Sequence, residues 1–202
     1  MKGILGKKLM MTRIFEDNGN QIPVTLIKVS DNVVTNIKTE KKDGYRAVQL
    51  GAGSKRRLNK SQLGQLKDIK IKPARLFEIK TEKEFKIGDK ININIFQKNQ
   101  QVNVTANSKG KGFAGTVKRH GFHLGPKTHG SNNYRQPGSI GSSYPQRVIK
   151  GRKMPGRLGG DKVTLKNVKI VHLDQDRNLM LIKGAVPGPK NSYVLIWSSD
   201  EN

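Results

Sequence analysis

Short runs of β-branched and apolar residues recur at both ends of the chain, and several of them alternate with polar residues. Runs of this kind, bounded by turn residues, are typical of β-strands. They predict strands at residues 23–29, 32–37, 45–50, 74–79 and 91–95, the last with a strict period of two, and then at 163–173, 179–183 and 193–197. Residues 174–178 predict a hairpin turn, and residues 58–67 predict a short helix. The predicted fold class is therefore mainly β.

Glycine is concentrated between the two strand-rich ends. Residues 107–160 hold 12 of the 22 glycines, and each glycine adds backbone freedom that folding must remove. We therefore expect one β-barrel or sandwich domain formed by residues 1–106 together with 161–202. Residues 107–160 are expected to form a long irregular loop inserted into it. An insertion of this length is tolerated when it is functional and becomes ordered on a partner.

Charge is distributed even less evenly than glycine. The chain carries a net charge of +24, with a pI near 10.4. From Lys90 to Gly160 there is no Asp or Glu, while 13 residues are Lys or Arg. Because a surface of one sign repels itself, such a stretch indicates that a polyanion supplies the missing negative charge. Nucleic acid is the first choice of partner.

Other partners and compartments are less consistent with the sequence. An anionic membrane would favour a basic amphipathic helix with a broad apolar face, which the glycines and prolines prevent. No window is apolar enough for a transmembrane span, and the first residues lack the apolar run of a secretory signal. The chain has no cysteine, which excludes disulfides and thiol catalysis. We expect a protein of the cytosol or of its organellar equivalent.

The candidate RNA-binding residues lie in the inserted loop. Its first part alternates lysine with glycine, and glycine lets the backbone approach phosphates closely. Arginine can bind phosphate oxygens with two parallel hydrogen bonds, lysine acts as a point charge, and imidazole can stack on bases or donate to phosphates. The candidates are Lys109, Lys111, Lys118, Arg119, His120, His123, Lys127, His129, Arg135, Arg147, Lys150, Arg152, Lys153 and Arg157.

Two questions about this loop stay open at the level of sequence. Gly/Lys runs such as residues 109–112 are also common in flexible linkers that bind nothing. Phe113, Phe122 and Tyr134 could stack on bases or could serve as small hydrophobic anchors that hold the shape of the loop.

Metal binding and catalysis have little support. His120, His123 and His129 would need a fourth ligand to hold zinc, and no cysteine or carboxylate lies nearby in the sequence. Ser139 and His129 could be imagined as a nucleophile and its base, but the loop offers no acid to orient the histidine. We therefore predict no metal, no cofactor and no enzymatic activity.

Five segments follow one another in a fixed order: SKGKGFAGTVKRHGF, GPKTHGS, RQPGSIG, KGRKMPGRLGGDKVT and LMLIKGAVPGPKNSYV. In this order they resemble the bacterial form of the family of the universal large-subunit ribosomal protein numbered three. The opening MKGILGKKLMMTRIF, followed by PVTLIKV, YRAVQLG and KRRLNKSQLGQLK, is similar to the first half of the same family. The resemblance spans nearly the whole chain.

The resemblance implies a structural role in the large ribosomal subunit. It implies a β-barrel of the translation-protein type whose inserted loop reaches into the large-subunit rRNA. By position, residues 137–153 would form the tip of the loop, near the peptidyl transferase centre, and residues 108–122 its stem. It also implies early assembly near the 3′ end of that rRNA, beside large-subunit proteins numbered fourteen and nineteen. Ser142 replaces a glutamine that is methylated in some bacterial relatives, so that modification is not expected.

The main alternative is a non-ribosomal RNA-binding chaperone or nucleoid-type module. Such a protein would bind many nucleic acids comparably, whereas a ribosomal protein must prefer one region of rRNA. In the ribosomal case, Lys and Arg side chains offset repulsion where rRNA strands crowd together. We expect the loop to be mobile when the protein is free and ordered when it is bound.

Overall fold

The computed structural model describes residues 2–16, 18–67, 69, 71–81 and 83–198. The fold is mainly β, as predicted. Its strands are β1 (Lys2–Phe15), β2 (Gln21–Val29), β3 (Asn32–Lys38), β4 (Ala47–Ala52), β5 (Arg75–Ile79), β6 (Lys90–Ile91), β7 (Gln101–Asn107), β8 (Phe113–Ala114), β9 (Gly156–Arg157), β10 (Lys162–Asp174), β11 (Leu179–Lys183) and β12 (Tyr193–Ser198). The helices are α1 (Glu40–Asp43), α2 (Lys60–Gln65) and α3 (Thr116–His120), with a 3₁₀ turn at Ile93–Ile95.

The chain divides into two compact units. The barrel unit consists of residues 1–107 together with 162–202, and the basic unit consists of residues 108–161. Among the described residues, no helix is long and apolar enough to cross a membrane.

Six strands of the barrel unit form a closed antiparallel barrel in the order β1-β12-β7-β10-β11-β2. Three of these strands, β1, β2 and β7, precede the basic unit in the chain, and the other three follow it. Strand β1 is long enough to pair along its first half with β12 and along its second half with β2. Gly6 and Lys7 pair with both neighbours, and a register shift lies between Lys8 and Met10 in the pairing with β2. The barrel therefore cannot close without both ends of the chain.

A second sheet, in the order β5-β4-β3-β6, shares its core with the barrel. The fully buried side chains of the barrel include Ile4, Ile27, Ile170, Met180, Ile182 and Ile196, and Val34 and Leu50 of the second sheet belong to the same cluster. Strand β1 crosses this cluster closely at Gly6, where a Cβ atom would collide with Cγ2 of Ile27. Close backbone approach of this kind is possible only with glycine.

Two buried polar side chains of the barrel unit, those of Asn32 and Lys8, are paired with backbone groups. The Asn32 side chain accepts a hydrogen bond from the Leu5 amide (2.9 Å) and donates to the Leu5 carbonyl (2.9 Å), which joins β3 to β1. The buried Lys8 ammonium group donates to the carbonyls of Val186 (2.6 Å) and Gly188 (3.0 Å). A buried polar group without a partner lowers the stability of the folded state by about 1–3 kcal/mol. The two hydrogen bonds of Lys8 therefore help to hold the loop between β11 and β12 against β1.

Most predicted strands are confirmed within two residues, and the predicted helix at 58–67 is present as the shorter α2. The prediction of a strand over residues 91–95 is wrong. Only Lys90–Ile91 pairs with a neighbour, and the chain then turns into the 3₁₀ helix, with the Phe96 amide donating to the Ile93 carbonyl (3.1 Å). The alternation of isoleucine here reflects the burial of Ile91 and Ile93, which does not need a continuous strand.

Strand β1 had not been predicted as a strand, and β7 had not been predicted either. The strand predicted at 45–50 begins only at Ala47, as β4. Residues 40–43 form α1 before it, and Gly44, with φ = 78°, ends that helix. A left-handed residue at this position is the usual end of a helix and favours glycine.

Replacement of Val24 by Asp tests the packing of the barrel. Val24 lies on β2 and is completely buried, so the carboxylate would be placed in the core without a partner. We expect loss of cooperative thermal unfolding, or a loss of more than about 3 kcal/mol in the free energy of unfolding. Circular dichroism during heating and urea titration measures both.

The matched control is Lys28→Asp, which places the same residue on an exposed position of the same strand. Its free energy of unfolding should stay within about 1 kcal/mol of the parent protein. A Val24→Asp protein that melts like this control would contradict the burial of Val24.

Candidate nucleic-acid interface

The base of the basic unit is a short ladder between its outgoing and returning strands. The Ser108 amide donates to the Asp161 carbonyl (2.8 Å), the Lys111 amide to the Leu158 carbonyl (2.8 Å), and the Leu158 amide to the Gly112 carbonyl (2.9 Å). Strands β8 and β9 continue the pairing. The two strands approach so closely that a Cβ atom at Gly159, where φ is 73°, would collide with the Lys109 carbonyl oxygen. The ladder thus gives the stem of the loop a defined backbone.

Helix α3 follows this ladder and carries three basic residues in its last turn, Lys118, Arg119 and His120. Cations at this end of a helix interact favourably with the carbonyl groups that point out of it. Gly121, with φ = 70°, ends the helix, and Thr116 at its start is buried. The helix is therefore held at its first residue, and the exposed Lys118 displays positive charge in its last turn.

Two of these basic groups bind the protein itself. The Arg119 guanidinium donates to the Met154 carbonyl (2.8 Å), and Nε2 of His120 lies 2.9 Å from the same oxygen. A Cβ atom at Gly156 would lie 2.6 Å from Nη1 of Arg119, so glycine there makes room for the guanidinium. We name this set of contacts the Met154 clamp: it joins α3 to the returning strand.

Beyond α3, the chain folds back on itself between Gly125 and Tyr134. The Gly125 amide donates to the Tyr134 carbonyl (2.9 Å). The Lys127 ammonium group lies 5.2 Å from the centre of the Tyr134 ring, which is a cation–π contact. Phe122 is partly buried and its ring lies 6.1 Å from the His120 ring. Tyr134 and Phe122 therefore act as anchors of the loop, whereas Phe113, 79% exposed, is available to stack on a base.

The predicted tip, residues 137–153, is held by contacts of its own. The Arg152 guanidinium donates to the Ser139 carbonyl (2.6 Å), which joins the two sides of the tip. The Ser139 hydroxyl donates to the Gly141 carbonyl (2.7 Å), and the Ser142 hydroxyl donates to the Tyr144 carbonyl (2.8 Å). The Tyr144 ring is 85% exposed. Tyr144 is not among the residues predicted from the sequence, although an aromatic residue in an acid-free loop is a signal of RNA contact.

Twelve of the fourteen predicted residues have exposed side chains. They are Lys109, Lys111, Lys118, His123, Lys127, His129, Arg135, Arg147, Lys150, Arg152, Lys153 and Arg157. Arg119 and His120 are partly buried in the Met154 clamp. The predicted set therefore contains many side chains available to a partner, while Arg119 and His120, and also the exposed Lys127 and Arg152, make contacts within the loop.

The three histidines of the loop do not form a common site. His120 contacts Met154, while His123 and His129 are exposed. Among the residues that the structure describes, no group of three or more His, Asp or Glu side chains could hold a metal ion.

A model of the ribosomal protein L3 family matches residues 30–179, which is well over half of the chain. The chain belongs to the ribosomal protein L3 family. It is 48% identical over 200 residues to the large ribosomal subunit protein uL3 of Pelotomaculum thermopropionicum, covering 96% of this chain and 95% of that protein. The protein of the same name from Heliobacterium modesticaldum is 48% identical over 203 residues, with 98% and 97% covered. That from Geobacillus sp. strain WCH70 is 47% identical over 203 residues, with 98% and 96% covered.

Membership in the L3 family confirms the resemblance predicted from the ordered segments. The three relatives are, by name, proteins of the large ribosomal subunit.

Replacement of Arg119 by Ala tests the Met154 clamp. Loss of a hydrogen bond from a charged donor costs about 1.5–3 kcal/mol, so the basic unit should open more often. We expect amide hydrogen exchange at Lys111 and Leu158, which form the ladder, to accelerate by roughly tenfold or more. Nuclear magnetic resonance or mass spectrometry of the full chain measures this exchange.

Arg135→Ala is the matched control, because Arg135 is exposed and its replacement by Ala removes the same charge. Exchange in the ladder should not change in this variant. Equal exchange in the Arg119→Ala and Arg135→Ala proteins would show that the clamp does not hold the ladder.

Proposed function

We propose that the protein binds large-subunit rRNA through its basic unit and neutralises phosphates where RNA strands lie close together. The observation that supports this most strongly is the charge of that unit. It contains eleven Lys and Arg residues, and Asp161, at its very end, is the one acid in its sequence. A partner that brings many negative charges is needed to offset this repulsion.

The geometry of the exposed groups suits a phosphate backbone. The exposed cations are spread from the stem to the tip rather than gathered around one pocket. Phosphate contacts of this kind add affinity and orient a protein, but they carry no information about base sequence. Specificity for one region of rRNA would then come from the shape of the loop and from stacking by exposed rings such as those of Phe113 and Tyr144.

The internal contacts of the basic unit give it the shape that such binding requires. The ladder, the Met154 clamp and the bond from Arg152 to Ser139 each join parts of the chain that are distant in sequence. A partly formed loop loses less conformational entropy on binding than a disordered one. The expectation that the loop becomes fully ordered on RNA remains a prediction.

Family membership supports a finer placement. Residues 108–122 would form the stem and residues 137–153 the tip, which would approach the peptidyl transferase centre without entering it. The protein would join the subunit early, near the 3′ end of the rRNA, with the large-subunit proteins numbered fourteen and nineteen as neighbours. Its role is structural, and a non-ribosomal chaperone or nucleoid function is disfavoured because the relatives are ribosomal over nearly the whole chain.

Replacement of Arg147, Lys150 and Lys153 together by Ala tests the role of the tip. All three side chains are exposed, whereas Arg152 is retained because it bonds to Ser139. The melting temperature should not change, while large subunits should mature slowly and translate poorly. In binding to purified rRNA, the slope of log affinity against log salt should become shallower by about 2–3, since each phosphate contact contributes roughly 0.7–0.9.

The control replaces Lys41, Lys42 and Lys86, three exposed lysines of the barrel unit, by Ala. It removes the same net charge and should leave subunit maturation and the salt slope near those of the parent protein. Normal subunits and an unchanged slope in the tip variant would contradict the proposed function of the tip.

A further inference from the structure

The outer half of β1 has a neighbouring strand on one side only. Strand β1 pairs with β12 from Lys2 to Lys7, whereas its pairing with β2 continues as far as Phe15. Within the part of the chain that the structure describes, residues 10–15 therefore have no strand beside them on the edge away from β2. An unpaired edge of this length is a template for another strand, and proteins usually cover or interrupt such edges.

The register shows which backbone groups lie on this open edge. In an antiparallel pair, successive residues alternate between bonding to the partner strand and pointing away from it. Arg13 lies opposite Pro23, which has no amide hydrogen and whose carbonyl accepts from the Gly184 amide (2.8 Å), on the β11 side of β2. Arg13 therefore points its own amide and carbonyl away from β2. Met11 and Phe15, two residues before and after it, do the same.

The side chains of this segment leave the edge unprotected. Residues 10–15 contain no proline and no lysine, the residues that commonly block strand pairing at an edge. Met10 and Met11 are each 47% exposed, and Phe15 is 63% exposed. Large apolar side chains gathered in one exposed place indicate a surface that binds a partner.

The backbone groups on the edge favour a polypeptide over RNA as that partner. Each of Met11, Arg13 and Phe15 presents one donor and one acceptor. Phosphate oxygens accept hydrogen bonds but cannot donate them, so a phosphate backbone could match the three amides and not the carbonyls between them. An extended protein strand offers both kinds of group at the same spacing.

A second copy of the chain fits the same edge poorly. Two antiparallel β1 edges that pair about their centre would place Arg13 opposite Arg13, and like charges directly opposite each other destabilise a sheet. The net charge of +24 would add to this repulsion. The partner is therefore a different protein.

Arg13 indicates the chemistry of the partner strand. It is exposed, and it is the one charged residue of residues 10–15. Among the described residues, the ion pairs are Lys38 with Glu78 and Arg177 with Asp174, so Arg13 has no carboxylate partner there. Its guanidinium lies 5.9 Å from the centre of the Phe15 ring, on the same face of the strand.

We propose that the open edge of β1, formed by Met11, Arg13 and Phe15, binds an extended strand of another protein and thereby continues the sheet. The partner strand carries an acidic residue facing Arg13 and apolar residues facing Met11 and Phe15, because cross-strand neighbours on one face interact directly. This site is separate from RNA binding by the basic unit, and either can fail without the other.

Amide hydrogen exchange in the free, full-length protein tests the edge itself. The amides of Thr12 and Ile14 point towards β2 and should exchange roughly tenfold or more slowly than those of Met11, Arg13 and Phe15, which face water. Nuclear magnetic resonance measures each amide separately. Equally slow exchange along residues 11–15 would show that the edge is already covered and would overturn the proposal.

Photo-crosslinking in cells tests the partner. Met11, Arg13 and Phe15 of the full chain are replaced, one at a time, by a photo-crosslinking amino acid, and the crosslinked peptides are sequenced by mass spectrometry. We expect the three positions to contact one segment of one other protein, at alternate residues and in order along that segment. Crosslinks mainly to RNA, to a second copy of this chain or to scattered proteins would overturn the proposal, as would the absence of any crosslinked product.

Arg13→Pro and Arg13→Ala form a matched pair that tests the backbone contact. Both remove the side chain, but only proline removes the amide hydrogen that faces the partner. The yield of the crosslink from position 11 should be roughly three- to tenfold lower in Arg13→Pro than in Arg13→Ala, as for one lost backbone hydrogen bond. Equal yields in the two variants would overturn strand pairing. A thermal melt checks that both are folded, and if Arg13→Pro is not, Met11→Pro against Met11→Ala, with the crosslinker at position 15, makes the same comparison.

Discussion

The antiparallel pairing of β7 with β10 is the interaction on which the rest of the structure depends. The two strands close the barrel between β12 and β11, and their register ends with Asn107 opposite Lys162. The chain therefore leaves and re-enters the barrel unit at neighbouring positions, although the inserted residues number more than fifty. The ladder of the basic unit begins at the next pair, Ser108 and Asp161. A long polar insertion can thus be carried without disturbing the core.

The charged side chains of the two units have different kinds of partner. In the barrel unit, Glu78 binds Lys38 at 2.8 Å and accepts a hydrogen bond from Tyr45 at 3.0 Å. The hydrogen bond from Lys38 lowers the pKa of Glu78, and the same bond raises the pKa of Lys38. In the basic unit, the hydrogen bonds of Arg119 and Arg152 go to backbone carbonyls, which orient the side chains but do not neutralise them. The balance of charge there must come from a partner.

The sequence predicted those parts of the molecule that depend on local pattern. Strands β2, β3, β10, β11 and β12 have β-branched residues between turn residues, and their positions were close to the predicted ones. Strand β1 does not follow from the local pattern, because Gly3, Gly6 and several lysines interrupt it, and a Cβ atom at either glycine would meet a side chain from another strand, Ile79 or Ile27. The same limit applies to the site. Residue types predicted the inserted basic loop, but the contact of Arg119 and His120 with Met154 spans more than thirty residues and has no local signal.

We propose that the basic unit lies against rRNA inside the large subunit, and a probe attached to its tip gives the sharpest test. The chain has no cysteine, so Ser143→Cys, at an exposed position of the tip, creates a unique attachment point for an iron chelate that cleaves nearby RNA. In salt-washed large subunits that contain this protein, we expect a few strong cleavages of the large-subunit rRNA around the peptidyl transferase centre. A Lys41→Cys protein, labelled in the barrel unit, should give a different set. Absence of rRNA cleavage from the tip, or a weak pattern spread over the whole rRNA, would contradict the account.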